Sequence, residues 1–159
     1  MIVDLAELST EQLTASFNRR AWKSLSFPST LYLQPVMDVL LLDIPPEHQF
    51  EVQLGLQEAI VNAARHGNGL DPSKSVSIRY AKAHRELCWI ITDEGQGFVA
   101  PTGPCDHWSD SVPCESGECG RGLFILFQVF DQVKWNNHGT QLALYKRCGQ
   151  PRRKSFGFF

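Results

Sequence analysis

Three short stretches of this chain combine residue types able to hold a charged ligand. Glu58, Asn62 and His66 follow one another at four-residue intervals, with Arg65 beside them. On a helix that spacing stacks a carboxylate, an amide and an imidazole along one side. The pattern alone fits a solvated helix face equally well. Asp93-Glu94-Gly95-Gln96-Gly97 follows a continuously apolar run. Its glycines permit a sharp turn and the close approach of a flat ligand, and a carboxylate at a strand end accepts hydrogen bonds from an amine. The same letters also make ordinary turns. Gly120-Arg121-Gly122-Leu123 opens a third segment. Free amides at a helix N-terminus bind phosphate, and Arg121 adds a positive charge, although a plain glycine turn is commoner.

Periodicity indicates the elements that must position these residues. Leu25 and Phe27 alternate with serines and predict a strand ending at Pro28; residues 31–42 predict a helix with Ser29 or Thr30 as its cap. A second helix is expected from Pro46 to the glycine of His66-Gly67. Projected at 100° per residue, its Phe50, Leu54, Leu56, Ile60, Val61, Ala63 and Ala64 cover most of the circumference. That predicts a helix nearly surrounded by core, with the Glu58 stripe as its polar exception. Val76, Ile78 and Tyr80 alternate as in a half-buried strand, and Leu87 to Ile91 reads as a central strand hairpinned to it. Leu123 to Phe130 predicts a buried helix, and 133–135 and 142–145 two strands joined through Asn137, His138 and Gly139. Helices gathered on one face of a sheet are expected from this order, an α+β, two-layer sandwich with a mixed, mostly antiparallel sheet.

Length and composition set outer limits. The 159 residues, 43% hydrophobic and 20% charged, suit one domain over residues 1–159 with a real core, with no internal repeat. The net charge of -2 conceals an asymmetry: up to Tyr145 the chain carries -7, and residues 146–159 carry +5 as a basic tail. An acidic body argues against direct nucleic-acid binding, which needs a basic face for phosphate contacts. The tail reads as a solvated end or as a contact for an acidic partner. Residues 31–44 are interrupted by Gln34, Pro35 and Asp38, too short and too polar for a membrane span. The start, rich in acids and without an apolar segment, carries no secretory signal, so a cytoplasmic protein is expected.

Taken in order, the motifs resemble those of the GHKL ATPases, the superfamily of gyrase, heat-shock chaperone, histidine-kinase and mismatch-repair ATP-binding domains. Residues 58–67 match the N box, 93–97 the first glycine box, 120–122 the second and Gly139-Thr140 the last, spanning about 47–147. The compact size, with one strand and helix before them, looks most like the anti-sigma factor serine/threonine kinases. The resemblance implies the Bergerat, histidine kinase-like fold and roles for matched residues. Asp93 would hold the adenine amine, Asn62 the Mg²⁺ bridging the phosphates, and Glu58 would activate a hydroxyl. Gly95 and Gly97 would line adenine and ribose, Gly120, Arg121, Gly122 and Leu123 the phosphates, and Thr140 would back the base. Arg65 and His66 enter the nucleotide set with the N box, while His66 has a local reading as a cap of the helix end.

The resemblance further implies ATP and Mg²⁺ as cofactors, a sigma factor and an anti-anti-sigma (STAS-type) protein as partners, and commonly a homodimer. The alternative is a nucleotide-sensing module that chooses partners with little or no transfer. A detached histidine-kinase domain fits poorly, since no His precedes His48. Residues 98–120, with three prolines, three cysteines and four acids but no Lys or Arg, read as a lid. Within it Cys105, His107, Cys114 and Cys119 lack the tight pairs of a strong zinc site; a redox pair of Cys114 and Cys119 and ordinary reduced thiols are the other readings.

Overall fold

The computed structural model describes residues 10–15, 17, 21–97 and 119–149. A short helix α1 (Thr10–Ala15) precedes strand β1 (Trp22–Pro28), helices α2 (Gln34–Leu40) and α3 (Pro46–Val61), and a wider π-helical turn (Asn62–Gly67) that continues α3. Strands β2 (Ser75–Ala83) and β3 (Glu86–Thr92), helix α4 (Cys119–Val129) and strands β4 (Gln132–Trp135) and β5 (Gln141–Arg147) complete it. The sheet order is β1-β2-β3-β5-β4. Expected to be mostly antiparallel, the sheet is antiparallel at all four described pairings. Residues 98–118 of the expected lid, with Cys105, His107 and Cys114, and residues 150–159 of the basic tail lie outside the described residues; Cys119, expected within the lid, is instead the first residue of α4.

Register explains the two faces. Ile78, Ile91 and Leu142 lie in one cross-strand row and Trp89 pairs with Leu144. These side chains, all buried, share one core with Val52, Leu56 and Ile60 of α3 and Leu126 of α4. The opposite row, Trp22, Ala81, Cys88 and Tyr145, gathers Phe17, whose ring meets Trp22 edge-on at 5.7 Å. Leu87 to Ile91 is therefore buried on both faces, as its unbroken apolar run predicts. Burial there drives the Cys88 thiol up to about 12.

Two expectations are corrected. α2 is shorter than residues 31–42, and neither Ser29 nor Thr30 caps it: its N-cap is Leu33, without a side-chain bond. Ser29 Oγ instead donates to the Lys74 carbonyl at 2.9 Å, and Thr30 Oγ1 accepts the Tyr32 N–H. Pro35, in the first turn, makes α2 start there. Second, α3 is not surrounded by core, since Phe50 is 83% exposed and Leu54 40%. Its buried face is Val52, Gly55, Leu56, Ala59 and Ile60. An apolar helix wheel indicates which residues are able to be buried, but only packed neighbours decide which ones are.

Gly55 sets how α3 meets α4. A Cβ at Gly55 would lie 2.6 Å from Phe130 Cε2 and 3.0 Å from Val129 Cγ1, so only a hydrogen there admits the end of α4. Phe130 in turn meets the Trp89 ring edge-on at 5.6 Å. The first two residues of the basic tail are part of the sheet: Lys146, buried, donates to the Val129 carbonyl at 2.8 Å and pairs with Glu51 at 2.9 Å. Burial pushes the Glu51 carboxyl up, but the hydrogen bonds from Lys146 and His48 together outweigh it and hold it below the usual range.

Candidate functional site

The three stretches converge at one end of the sheet, where β3 runs out and α3 and α4 meet. The convergence is measured by what a side chain would strike. A Cβ on Gly122 would lie 3.0 Å from Glu58 Oε2, 3.5 Å from Asn62 Nδ2 and 3.8 Å from Asn62 Oδ1. The first turn of α4 thus rests on the carboxylate and amide that α3 stacks one turn apart, and Gly122 leaves both of them uncovered. Gly67 lies against the next stretch: a Cβ there would fall on Asp93 Cγ and meet the carboxylate oxygens at 2.6 and 2.7 Å. At Gly95 a Cβ would meet the Gly67 carbonyl oxygen.

The end of the N box departs from regular helix. From Asn62 to Gly67 the backbone widens into a π turn, with the Asn68 N–H bonded to the Ala63 carbonyl five residues back at 2.9 Å. Glu58 and Asn62 keep their α-helical stacking, because the Asn62 N–H still bonds to the Glu58 carbonyl four residues back. Arg65 and His66 lie within this turn and are both exposed. Gly67 is not the left-handed stop its position suggests. The positive φ falls on Gly69 and Leu70, at 62° and 55°, and Gly67 serves the contact with Asp93 instead.

Asp93 is held from three sides. Its N–H donates to the Thr140 carbonyl at 3.0 Å, extending the β3–β5 ladder by one residue. Its Oδ1 accepts the Gly95 N–H at 2.8 Å, which fixes the side chain over the turn. Burial raises its carboxyl above the ordinary value, against smaller opposing pulls from the Gly95 N–H and Lys74. Thr140 is oriented by Asn136, whose Oδ1 accepts the Thr140 N–H at 3.0 Å. Gly97 has φ 77° and a Cβ there would fall on the His138 carbonyl, so the β4–β5 turn closes directly onto the first glycine box. At the other end, Gly120, Arg121 and Leu123 belong to the opening turn of α4, with Arg121 exposed and Leu123 buried.

Sequence reasoning missed Asn68, which is 3% exposed and ties the site together. Its amide donates to Ser29 Oγ at 2.8 Å and to the Ser75 carbonyl at 2.9 Å, and its Oδ1 accepts the Glu94 N–H at 2.7 Å. The Glu94 carboxylate closes the ring by accepting the Ser75 N–H. One side chain thereby joins the end of β1, the start of β2 and the glycine turn. An Asn directly after His-Gly is a signal that a turn reading absorbs without notice.

Among the described residues no three His, Cys, Asp or Glu side chains gather as metal ligands. Asn62 Oδ1, beside Gly122, is a hard oxygen donor suited to Mg²⁺, an ion that keeps waters and substrate phosphates for the rest of its shell, and Glu58 lies against the same glycine. No described helix is long and apolar enough to cross a membrane.

Comparison with known proteins agrees with this geometry. The histidine kinase-like ATPase domain family matches residues 36–146, from α2 through β5. The serine-protein kinase RsbW of Bacillus subtilis (strain 168) is 30% identical over 105 residues, 60% of this chain and 62% of that protein. RsbW of Oceanobacillus iheyensis is 28% identical over 103 residues, covering 60% and 63%, and that of Bacillus licheniformis 24% over 111 residues, covering 64% and 66%. The chain thus spans less than two thirds of the length of each of these relatives. With a match across all but the first strand and helix, and with its motifs meeting at one place, the chain belongs to the histidine kinase-like ATPase domain family.

Proposed function

We propose that the chain is an ATP-dependent protein serine/threonine kinase that holds a sigma factor and phosphorylates an anti-anti-sigma antagonist of STAS type. Nucleotide and phosphorylation then decide which partner is bound. The observation that carries this reading is the approach of Gly122 to Glu58 and Asn62, which brings a phosphate-binding helix start to a base and a metal ligand. The relatives named as serine-protein kinases support the transfer; the partners rest on the resemblance to anti-sigma factor kinases.

In this reading Asp93 accepts a hydrogen bond from the exocyclic amine of adenine. Thr140 stands behind the base, and Gly95 and Gly97 leave room for base and ribose. The first-turn amides of α4 and the Arg121 guanidinium offset phosphate charge. Asn62 would hold Mg²⁺, which would offset the phosphate charge. Glu58 takes the proton from a serine or threonine hydroxyl as that oxygen bonds to the γ-phosphorus. The bond from that phosphorus to the β–γ bridging oxygen breaks, and ADP leaves.

The test is intact-protein mass spectrometry of a STAS-type antagonist after incubation with the chain, ATP and Mg²⁺. One added phosphate on a serine or threonine is expected. ATP binding without any phosphate on the antagonist would replace the kinase by an ATP-responsive binding module.

A further inference from the structure

A cleft of about 270 Å³ opens at the end of the sheet away from the nucleotide motifs, between the start of α3, the β2–β3 turn and the end of β5. Leu87 and Cys148, 3% and 4% exposed, form its floor, and Lys82, His84 and Arg85, all exposed, stand around it. The Cys148 N–H donates to the Arg85 carbonyl at 2.6 Å, which ties the end of β5 to the turn. Gly149, with φ 107°, lies against the Arg85 side chain: a Cβ there would meet Arg85 Cδ at 2.8 Å. A glycine thus serves both the bend and the room that Arg85 takes. α3 runs from this cleft to the nucleotide site, and Glu47 is eleven residues, about 16 Å of helix, from Glu58.

Among the described residues no carboxylate pairs with Lys82, His84 or Arg85. The Lys82 ammonium donates to the Asp43 carbonyl at 2.8 Å, and Arg85 Nη1 faces the Gly149 carbonyl at 3.5 Å. Neighbouring acids are already taken, Asp43 by Lys23 at 2.7 Å, Glu51 by Lys146 at 2.9 Å and Glu86 by Arg147 at 3.4 Å. Among the described residues that line the cleft Glu47 is the one acid, and the start of α3 beside it adds the positive end of a helix dipole. Two permanent cations and an imidazole against one carboxylate leave the rim positive. The chain leaves the cleft at Gly149, and Arg152, Arg153 and Lys154 follow within five residues, no more than about 18 Å of extended chain.

We propose that this cleft is a docking site for an acidic peptide segment of a partner protein. One apolar side chain of the segment rests on Leu87 and Cys148, and flanking carboxylates face Lys82, His84 and Arg85. The volume lies below the roughly 300–1,000 Å³ of small-molecule sites and suits a side chain or two. A nucleic-acid strand is a poorer occupant, because the lining offers no tryptophan, tyrosine or phenylalanine for a base to stack on and Glu47 repels phosphate. The cleft works whether or not Glu58 transfers phosphate, so failure of the one reading leaves the other standing.

The probe is a fluorescein-labelled peptide of about 12 residues, one central leucine among glutamates and glycines, titrated with the full chain by anisotropy. Saturable one-to-one binding that weakens with salt is expected, with none for the lysine counterpart. Arg85→Glu and Lys82→Glu each weaken it about tenfold or more with the thermal midpoint unmoved, and alanine for the peptide's leucine weakens it about fivefold. Glu47→Gln strengthens it about twofold, a gain that no loss of folding produces. Four results would overturn the proposal. The first is no binding, or binding indifferent to Arg85→Glu and Lys82→Glu. The second is a peptide without leucine that binds as well and is displaced by inorganic phosphate, which leaves a plain anion site. Tighter binding of oligothymidylate, lost in Arg85→Glu, assigns the cleft to nucleic acid. A sedimenting dimer that Arg85→Glu dissociates assigns it to a second copy.

Discussion

Replacing Gly67 with alanine sets two physical effects against each other. Gly67 lies in helical backbone without a positive φ, so alanine there gains about 0.5–1 kcal/mol of helix preference. Against that, the new methyl would fall on Asp93 Cγ and lie 2.6 Å from Oδ2, well inside ordinary contact. Asp93 must swing away and surrender the 2.8 Å bond from the Gly95 N–H, a hydrogen bond to a charged group worth about 1.5–3 kcal/mol. The loss exceeds the gain by about 1–2 kcal/mol, which for a chain of this size lowers the thermal midpoint by about 2–8 °C. A displaced Asp93 also no longer meets the adenine amine, so ATP affinity falls about 10- to 100-fold. Calorimetric titration with ATP and a thermal melt measure both. Gly69→Ala is the control: nothing lies within 4 Å of its Cβ, but φ is 62°, so it costs about 1 kcal/mol or more in stability and leaves ATP affinity intact. If Gly67→Ala melts and binds like the parent, the contact between the N box and the first glycine box is not what positions Asp93.

Glu58→Gln should cut phosphotransfer by about 10²- to 10⁴-fold with ATP still bound, read in a quenched-flow transfer assay. Asn68→Ala removes three hydrogen bonds from a buried hub and should cost about 2–4 kcal/mol in urea unfolding, with weaker nucleotide binding because Glu94 loses its anchor. For Asp93 the sign is set by burial. An acid raised in the folded state holds protons that the unfolded chain has released, so the group destabilises the protein above its ordinary 3.8, and the penalty disappears on acidification. Asp93→Asn should therefore melt no lower than the parent at neutral pH and flatten the pH dependence of the midpoint in the acid range.

The elements were largely legible because their signals are local. Leu87 to Ile91 announces a strand buried on both faces, and Pro46 marks a helix start that the fold respects, whereas the start at Leu31 overlooks Pro35, at which α2 begins. The motifs were legible by type and order. Periodicity could not give the features that depend on a partner element. The exposure of Phe50 and Leu54 reflects where α4 lies, which the Gly55–Phe130 approach decides. The π turn at Asn62 leaves no mark in hydrophobic spacing, so the widened end of the helix is not legible there. Asn68 looked like a turn residue because its three partners lie 7 to 39 residues away. Lys146 and Arg147 counted as tail by charge, yet their backbone completes β5.

The central claim is that the N box and the glycine boxes form one adenine-nucleotide site, with Asp93 at its base end and Glu58 and Asn62 at its phosphate end. Isothermal titration of the full chain with ATP, in Mg²⁺ and in chelator, tests it most directly when run beside Asp93→Asn and Asn62→Ala. One ATP per chain is expected, bound more tightly with Mg²⁺ in the parent. Asn62→Ala should lose that strengthening, and Asp93→Asn should bind about tenfold or more weakly in either buffer. ATP binding of equal strength in all three proteins, with the same response to Mg²⁺, would contradict it.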